Sequence, residues 1–341
     1  MTTDDRLTVA VLDPMPAASR QVIADIFGGQ FDIVQAEDDS PEAKRQAAAG
    51  ATVLLTMYGP VSADTIDSAP RARVIHKLGV GTDKIDTGAA TGRGIVVLKA
   101  AGVNADAVAE LAVLLILAVG RNLNRAMTAA RSGKVEKERL RAESFQLIGK
   151  TVGLLGLGHI GLAVARRLAP FGVDLIYHDL RRTSAGNEAG IPVRYTEADE
   201  LIVTADVISL HLPLTPATRN LVSADMLARV KPGLILVNTA RGGLVDEHAL
   251  AKAIADGRVL GAGLDVTAQE PLPPGSPLHD LDRVVLTPHV GGAVANNFPR
   301  VIGHAYANVR AVLDGGPVAE ADIVSWPGAP LRTGTRHDHG H

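Results

Sequence analysis

Val152-Gly-Leu-Leu-Gly-Leu-Gly-His-Ile-Gly161 decides how the chain is read. Its apolar start has the composition of a strand covered on both faces, and it runs straight into closely spaced glycines. In Gly156-Leu-Gly-His-Ile-Gly161 the first glycine permits a tight strand-to-helix turn, the second lets backbone approach a pyrophosphate, and the third lets helix and strand pack closely. A phosphate there would rest on the N–H groups that open the helix, where the dipole favours an anion. Eighteen residues past Gly161 a second apolar run, Val173-Asp-Leu-Ile-Tyr-His178, ends in Asp179. A carboxylate at that point accepts hydrogen bonds from ribose hydroxyls and repels a 2'-phosphate. In a glycine-rich chain such a pattern alone is also what an ordinary tight turn looks like. The strand before it, the amphipathic helix after it and the acid at the next strand end make it a dinucleotide site. Gly156, Gly158, His159, Ile160, Gly161 and Asp179 are the candidate cofactor residues, with NAD expected over NADP. Arg181 and Arg182 pull the other way, because an arginine beside the ribose can hold a 2'-phosphate.

The turn begins almost halfway along a chain of 341 residues. That length exceeds the roughly 250–300 residues at which one hydrophobic core stops growing, so two domains are expected. The composition is 46% apolar and 21% charged, with aromatics at only 3%, so the core must rest on Val, Leu, Ile and Ala. A net charge of -3, with no long run of one sign, gives no electrostatic reason to expect nucleic acid or an anionic membrane as partner. The expected partner is a small molecule. The absence of cysteine excludes disulfides, thiolate metal sites and cysteine nucleophiles, and Met1-Thr-Thr-Asp-Asp-Arg6 lacks a signal-peptide pattern, so a cytoplasmic enzyme is expected. Leu111–Val119 is too short for a membrane span of about 20 residues and reads as a buried helix.

Outward from the turn, short β-rich runs alternate with helical patterns. Leu7–Asp13, Phe31–Val34, Thr52–Met57, Val74–Leu78 and Ile95–Leu98 precede it. Thr151–Leu157, Val173–His178, Val207–His211, Leu234–Asn238, Gly261–Val266 and Val284–Leu286 form a second series. Such alternation predicts parallel sheets with crossover helices. Helices are expected at Ala105–Ser132, with Asn104 available as its cap, and at Ile160–Pro170, Asp246–Asp256 and Asn297–Leu313. The tail Arg336-His-Asp-His-Gly-His341 reads as a solvated terminus rather than a metal site.

Reduction of a 2-keto acid needs a cation for the carboxylate and carbonyl, a proton donor beside the carbonyl oxygen, and a group that tunes the donor. Arg241, in Val237-Asn-Thr-Ala-Arg-Gly-Gly243, follows the carboxyl end of an expected strand, where open parallel sheets place ligands. Glu270 lies in Gln269-Glu-Pro-Leu-Pro-Pro274, and His289 follows another strand in Thr287-Pro-His-Val-Gly-Gly292. Singly, these read as a surface cation, a loop acid and one histidine among eleven. Their order along the chain is more specific. From about residue 74 to 300 the chain resembles the D-isomer-specific 2-hydroxyacid dehydrogenases. The resemblance rests on Gly79-Val-Gly-Thr-Asp83, Asn104-Ala-Asp-Ala-Val-Ala-Glu110, Gly156-Leu-Gly-His-Ile-Gly161, His211-Leu-Pro-Leu-Thr215, Asn238-Thr-Ala-Arg-Gly242, Gly263-Leu-Asp265 and Thr287-Pro-His289, in family order.

The resemblance implies an α/β protein of two doubly wound parallel-sheet domains, a Rossmann NAD-binding domain at 102–290 inserted into a flavodoxin-like substrate domain at 1–101 and 291–341. It implies a substrate between the domains, where closure excludes water. Arg241 would bind the substrate carboxylate and carbonyl, His289 would be the acid/base, and Glu270 would pair with it, since a nearby carboxylate favours the imidazolium that donates a proton. Backbone amides around Val80 and Gly81 would hold the carboxylate. Asp265 would contact the nicotinamide carboxamide, and Leu212, Pro213, Thr239 and Ala240 would line the cofactor cleft beside His289. The helix around Ala105–Val119 would belong to a homodimer interface.

Departures from the family narrow the substrate. Phosphoglycerate dehydrogenases commonly carry an arginine after the third strand, whereas Thr56-Met-Tyr-Gly-Pro60 supplies no cation there, and formate dehydrogenases have glutamine where Glu270 stands. Glyoxylate, hydroxypyruvate or pyruvate remain, with Met57 and Tyr58 as side-chain selectors or ordinary strand-end packing. A dinucleotide-sensing corepressor on the same fold is the rival reading, though no low-complexity tail or basic patch suggests a docking region. The Tyr-x-x-x-Lys of short-chain dehydrogenases is missing at all four tyrosines. A methyltransferase would leave Arg241, Glu270 and His289 without a task.

Overall fold

In a computed structural model that describes residues 6–180, 182 and 190–328, the chain divides into two compact units, one of 1–104 with 295–341 and one of 105–294. Arg181 and the histidine-containing tail lie outside the described residues.

The first unit is built on β1 (Leu7–Val11), β2 (Phe31–Gln35), β3 (Val53–Thr56), β4 (Val74–Lys77), β5 (Val96–Lys99) and β13 (Ile323–Ser325), in the order β13-β5-β4-β3-β1-β2. The first five are parallel and run 2-1-3-4-5, the flavodoxin-like order, while β13 lies antiparallel against β5. Alternate residues of the strands supply two cores. Val9, Val11, Val53 and Leu55 face Ile23 and Phe27 of the helix Ala17–Phe27 and Ile302 and Val309 of the helix Phe298–Asp314. Ala10, Leu12, Leu54 and Ile75 face Ala47, Ile66 and Ala90. A period of two that is apolar on both faces is what a sheet covered by helices requires.

The second unit carries β6 (Thr151–Leu155), β7 (Asp174–His178), β8 (Val193–Tyr195), β9 (Val207–Leu210), β10 (Leu234–Asn238), β11 (Val259–Leu264) and β12 (Val284–Leu286), in the order β12-β11-β10-β9-β6-β7-β8. All neighbours are parallel. The order reverses between β6 and β9, and ligands of such sheets bind outside the carboxyl ends at that switch point. Val152, Leu154, Leu175 and Val237 pack beneath the helices Ala105–Gly120 and His159–Leu168, and Leu155, Ile176, Ile208 and Leu236 pack on the other face with the helix Glu247–Ala255.

Two expectations are corrected. The stretch 105–132 is two helices, Ala105–Gly120 and Leu123–Arg131, because Asn122 turns left-handed at φ 50° and spends its amide on the Glu143 carbonyl at 2.9 Å. Asn104 Oδ1 is buried without a hydrogen bond, so it caps nothing. The loop after β3 carries no cation of its own, and its carbonyls are held from elsewhere: Lys77 donates to that of Met57 and Lys84 to that of Tyr58 at 3.3 Å.

Candidate active site

The glycine turn sits between β6 and the helix His159–Leu168. Gly156 has φ 96°, and a Cβ on it would lie 2.5 Å from the His211 carbonyl. A Cβ on Gly161 would lie 2.2 Å from the Gly156 carbonyl, whereas one on Gly158 would meet nothing within 4 Å. Two glycines are thus demanded by backbone crowding, and the middle one faces open space over the helix start. That start has no side-chain cap, so its donors are available to an anion. Asp179 Oδ2 accepts the Leu157 N–H at 2.8 Å, which fixes the acid against the turn it serves. Arg182 stacks on the Tyr195 ring, 5.1 Å from its centroid.

Two further groups at this edge lack partners. Thr239 Oγ1 is buried without a hydrogen bond, and so are both ring nitrogens of His211. Burial pushes the His211 imidazole down to about 4, so it is neutral. Its Cδ2 lies 3.6 Å from the Cβ position of Gly161, beneath the turn. Unpaired buried polar atoms beside a capless helix start and an open glycine are what a dinucleotide site offers before it is filled. The residues present fit the group.

The second constellation lies at the carboxyl ends of β10, β11 and β12. Arg241 directly precedes the turn Gly242–Leu244, with its Nη1 donating to the Ala240 carbonyl at 2.7 Å. Asn238 shapes this corner: its amide nitrogen donates to the Arg241 carbonyl at 2.8 Å and its oxygen accepts from the Ala240 N–H at 3.0 Å. A Cβ on Gly242 would fall 1.9 Å from the Thr267 carbonyl carbon. Only glycine lets the Arg241 corner close on the segment that leads to Glu270. His289 Nδ1 lies 2.9 Å from Glu270 Oε2. A carboxylate only accepts, so that bond requires Nδ1–H and leaves Nε2 as the second nitrogen for chemistry. His289 itself is left-handed at φ 54°, and its side chain is 48% exposed.

Asp265 sits in the midst of this group and is 2% exposed. Its N–H donates to the Asn238 carbonyl at 2.9 Å and its carbonyl accepts the His289 N–H at 2.7 Å. Backbone bonds thus join Asp265 to His289 and to Asn238, the Asn238 side chain holds the Arg241 carbonyl, and a side-chain bond joins His289 to Glu270. Leu212, Pro213 and Ala240 lie on the same edge, after β9 and β10. Val80 and Gly81 follow β4 in the other unit, half-buried. Sequence reading did not single out the orphaned imidazole of His211, although its place directly after an apolar strand and ahead of Leu212-Pro213 was a signal. No helix among the described residues is long and apolar enough to cross a membrane.

A switch-point glycine cradle with an acid at the next strand end, beside a histidine–carboxylate pair and an arginine, defines a nicotinamide-dinucleotide oxidoreductase. Residues 113–291 match the model of the D-isomer specific 2-hydroxyacid dehydrogenase NAD binding domain. The chain is 42% identical over 266 residues to a glyoxylate reductase of Thermofilum pendens, spanning 77% of this chain and 78% of that one. It is 42% identical over 245 residues to a hydroxypyruvate reductase of Thermotoga maritima, spanning 71% and 78%. Among solved structures it resembles the NADPH-dependent glyoxylate/hydroxypyruvate reductase of Sinorhizobium meliloti in complex with NADP and malonate, with 30% identity, a TM-score of 0.79, and 94% and 98% of the two chains covered. The chain belongs to the D-isomer-specific 2-hydroxyacid dehydrogenase family, and it is an NAD-binding enzyme of that class.

Proposed function

We propose that the chain reduces a small 2-keto acid such as glyoxylate, hydroxypyruvate or pyruvate to the D-2-hydroxy acid, with His289 as acid/base. The observation that carries the reading is the 2.9 Å bond from His289 Nδ1 to Glu270. Glu270 orients the ring and favours imidazolium, and Nε2 then hands its proton to the carbonyl oxygen during reduction. Arg241 binds the substrate carboxylate and polarises the carbonyl. Val80 and Gly81 are assigned to the carboxylate through their amides, and Met57 and Tyr58 to the substrate side chain, by their motif positions. Gly156, Gly158, His159, Ile160, Gly161 and Asp179 would hold NAD, with Leu212, Pro213, Thr239 and Ala240 lining its cleft, and the bound dinucleotide would supply the hydride for reduction or take it up in the reverse direction. The acid at position 179 supports NAD over NADP; Arg182, stacked on Tyr195, is the nearby cation in competition with it. A homodimer through the helix Ala105–Gly120 is part of the proposal, supported by the exposure of its Leu114.

NADH oxidation against a panel of 2-keto acids tests the reading. Turnover with at least one of the three acids is expected, and His289→Ala should lower kcat by about 100-fold or more while NADH still binds. Unchanged kcat removes His289 from the chemistry. Inactivity against every acid, with NADH bound, favours a dinucleotide-sensing binding protein instead.

A further inference from the structure

We propose that Glu247 is a positioning residue for the acid/base pair, its carboxylate fastening the segment that carries Glu270 to the corner that carries Arg241. The inference rests on the reading of Glu270 and His289 given above. Glu247 opens the helix Glu247–Ala255, which begins just past the turn Gly242–Leu244 that follows Arg241. The helix start does not need it as a cap, because Asp246 Oδ1 accepts the Ala249 N–H at 3.0 Å. Glu247 instead reaches across to another part of the chain, where its Oε1 accepts the N–H of Ala268 at 2.6 Å. Ala268 stands shortly before Glu270, on the stretch that leaves β11.

That stretch needs such a hold. Ala268, Gln269 and Glu270 are exposed, so burial does not place them. Among the described residues no backbone-to-backbone hydrogen bond begins or ends at 267–270, and the bond from the Thr267 hydroxyl to the Gln269 carbonyl at 2.8 Å stays within the stretch. The Ala268 amide, by contrast, is fixed from two sides. Its nitrogen lies 2.4 Å from where a Gly242 Cβ would be, which is close packing of backbone on the Arg241 corner, and its hydrogen goes to Glu247. The packing sets how near the stretch comes, and the charge-assisted bond sets its direction. The 2.9 Å reach from His289 Nδ1 to Glu270 Oε2 depends on where that backbone leaves Glu270. Glu247 therefore acts on proton transfer through the chain, by way of Ala268 and Glu270.

Glu247→Ala removes the acceptor and is expected to lower kcat by about tenfold, short of the roughly 100-fold that a full ångström of misplacement can cost. The Kd of NADH, from its fluorescence on binding, should stay within about twofold. Counting kcat per NADH-binding site keeps unfolded chains from passing as slow enzyme. Glu247→Gln retains an oxygen for the Ala268 N–H without the charge, and should bring kcat back to within about threefold of the parent. An acid that serves only the helix dipole predicts otherwise: both variants lower the urea midpoint alike and leave kcat unchanged. That pattern overturns the proposal. A double variant shows whether the effect passes through Glu270. Glu247→Ala added to Glu270→Ala should lower kcat no further, whereas a second loss of about tenfold would place the action of Glu247 elsewhere and overturn the proposal too. If His289→Ala retains turnover, the reading of His289 has failed; if it is inactive while Glu247→Ala turns over normally, only the proposal has failed.

Discussion

Both units fasten a loop with a buried aspartate at the carboxyl edge of a parallel sheet, but they do it with different redundancy. Asp13, just past β1 and 1% exposed, accepts the N–H groups of Met57, Tyr58 and Gly59 at 2.6, 3.2 and 2.6 Å, from the loop after the adjacent β3. Asp265, just past β11, gathers its donors from the loop after the adjacent β12. The first loop is also held by its carbonyls. Lys77 takes that of Met57, Lys84 that of Tyr58, and the Thr56 hydroxyl that of Gly59 at 3.3 Å, while the buried Lys44 lies with its Nζ 2.0 Å from where a Gly59 Cβ would be. The backbone of 57–59 is therefore tied on both sides by side chains from four places in the chain, in relaxed geometry. In the 287–291 loop three amides and the Thr287 hydroxyl converge on Asp265, with further bonds from the Thr287 N–H to the Leu264 carbonyl and from His289 to Glu270, and the loop contains a left-handed histidine. A distributed hold stabilises; a concentrated hold on a strained turn sets an angle.

The largest expected effect breaks the Asp13 side of that comparison. Asp13→Ala leaves the N–H groups of Met57, Tyr58 and Gly59 without their carboxylate acceptor. Breaking such a charged, hydrogen-bonded group costs about 3–5 kcal/mol, read as a lower urea midpoint. NADH binding, carried by the other unit, should hold within about twofold. An Asp13→Ala chain as stable as the parent would mean that the lysines and Thr56 suffice, and that the two loops are not held by comparable means.

Acid is the next lever, and it acts on both units with the same sign. Burial pushes His76, on β4, down from 6.5 to about 3, and His211, after β9, from 6.5 to about 4. Both stay neutral in the native state, while the unfolded chain takes up their protons near pH 6.5. The unfolded state thus binds more protons below that pH, so stability is flat above it and falls as pH drops toward 3–4. On the order of 1–2 kcal/mol per histidine should be lost by pH 5. His76→Leu should flatten the slope by its share in denaturant melts between pH 7 and 5. A slope unchanged by that replacement would assign the acid loss to other groups.

How much of this was written in the sequence differs between the loops. The glycine turn, Asp179, Arg241, Glu270 and His289 stand in short motifs at strand ends, where residue type and position together announce chemistry, and alternation predicted both sheets. Asp13 and Lys77 stand at the ends of apolar runs and look like the last polar residue of a strand. Only the fold shows that their charges converge on 57–59, because a buried ion's partner is chosen by tertiary neighbours and not by any local period. The break at Asn122 escaped for a related reason: its left-handed turn is stabilised by Glu143, 21 residues on. Strand β13 is three residues long and pairs with β5 from the far end of the chain, and β8 is as short, so neither carries enough pattern to read.

The smallest effect sharpens the Asp265 side. Thr287→Val deletes one of the three donors to that carboxylate, the hydroxyl at 2.6 Å on Oδ1, and substitutes a methyl of nearly the same volume. The amides of Val290 and Gly291 remain, so the carboxylate keeps two partners and the turn its geometry. A hydroxyl bond to a charged acceptor is worth about 1.5–3 kcal/mol, and the loss should appear as a fall in the urea midpoint with kcat within about threefold of the parent. Thr287→Ser should restore the midpoint. If Thr287→Val instead lowers kcat as far as His289→Ala does, the hydroxyl and not the pair of backbone amides fixes the histidine, and the concentrated hold resides in a single side-chain bond.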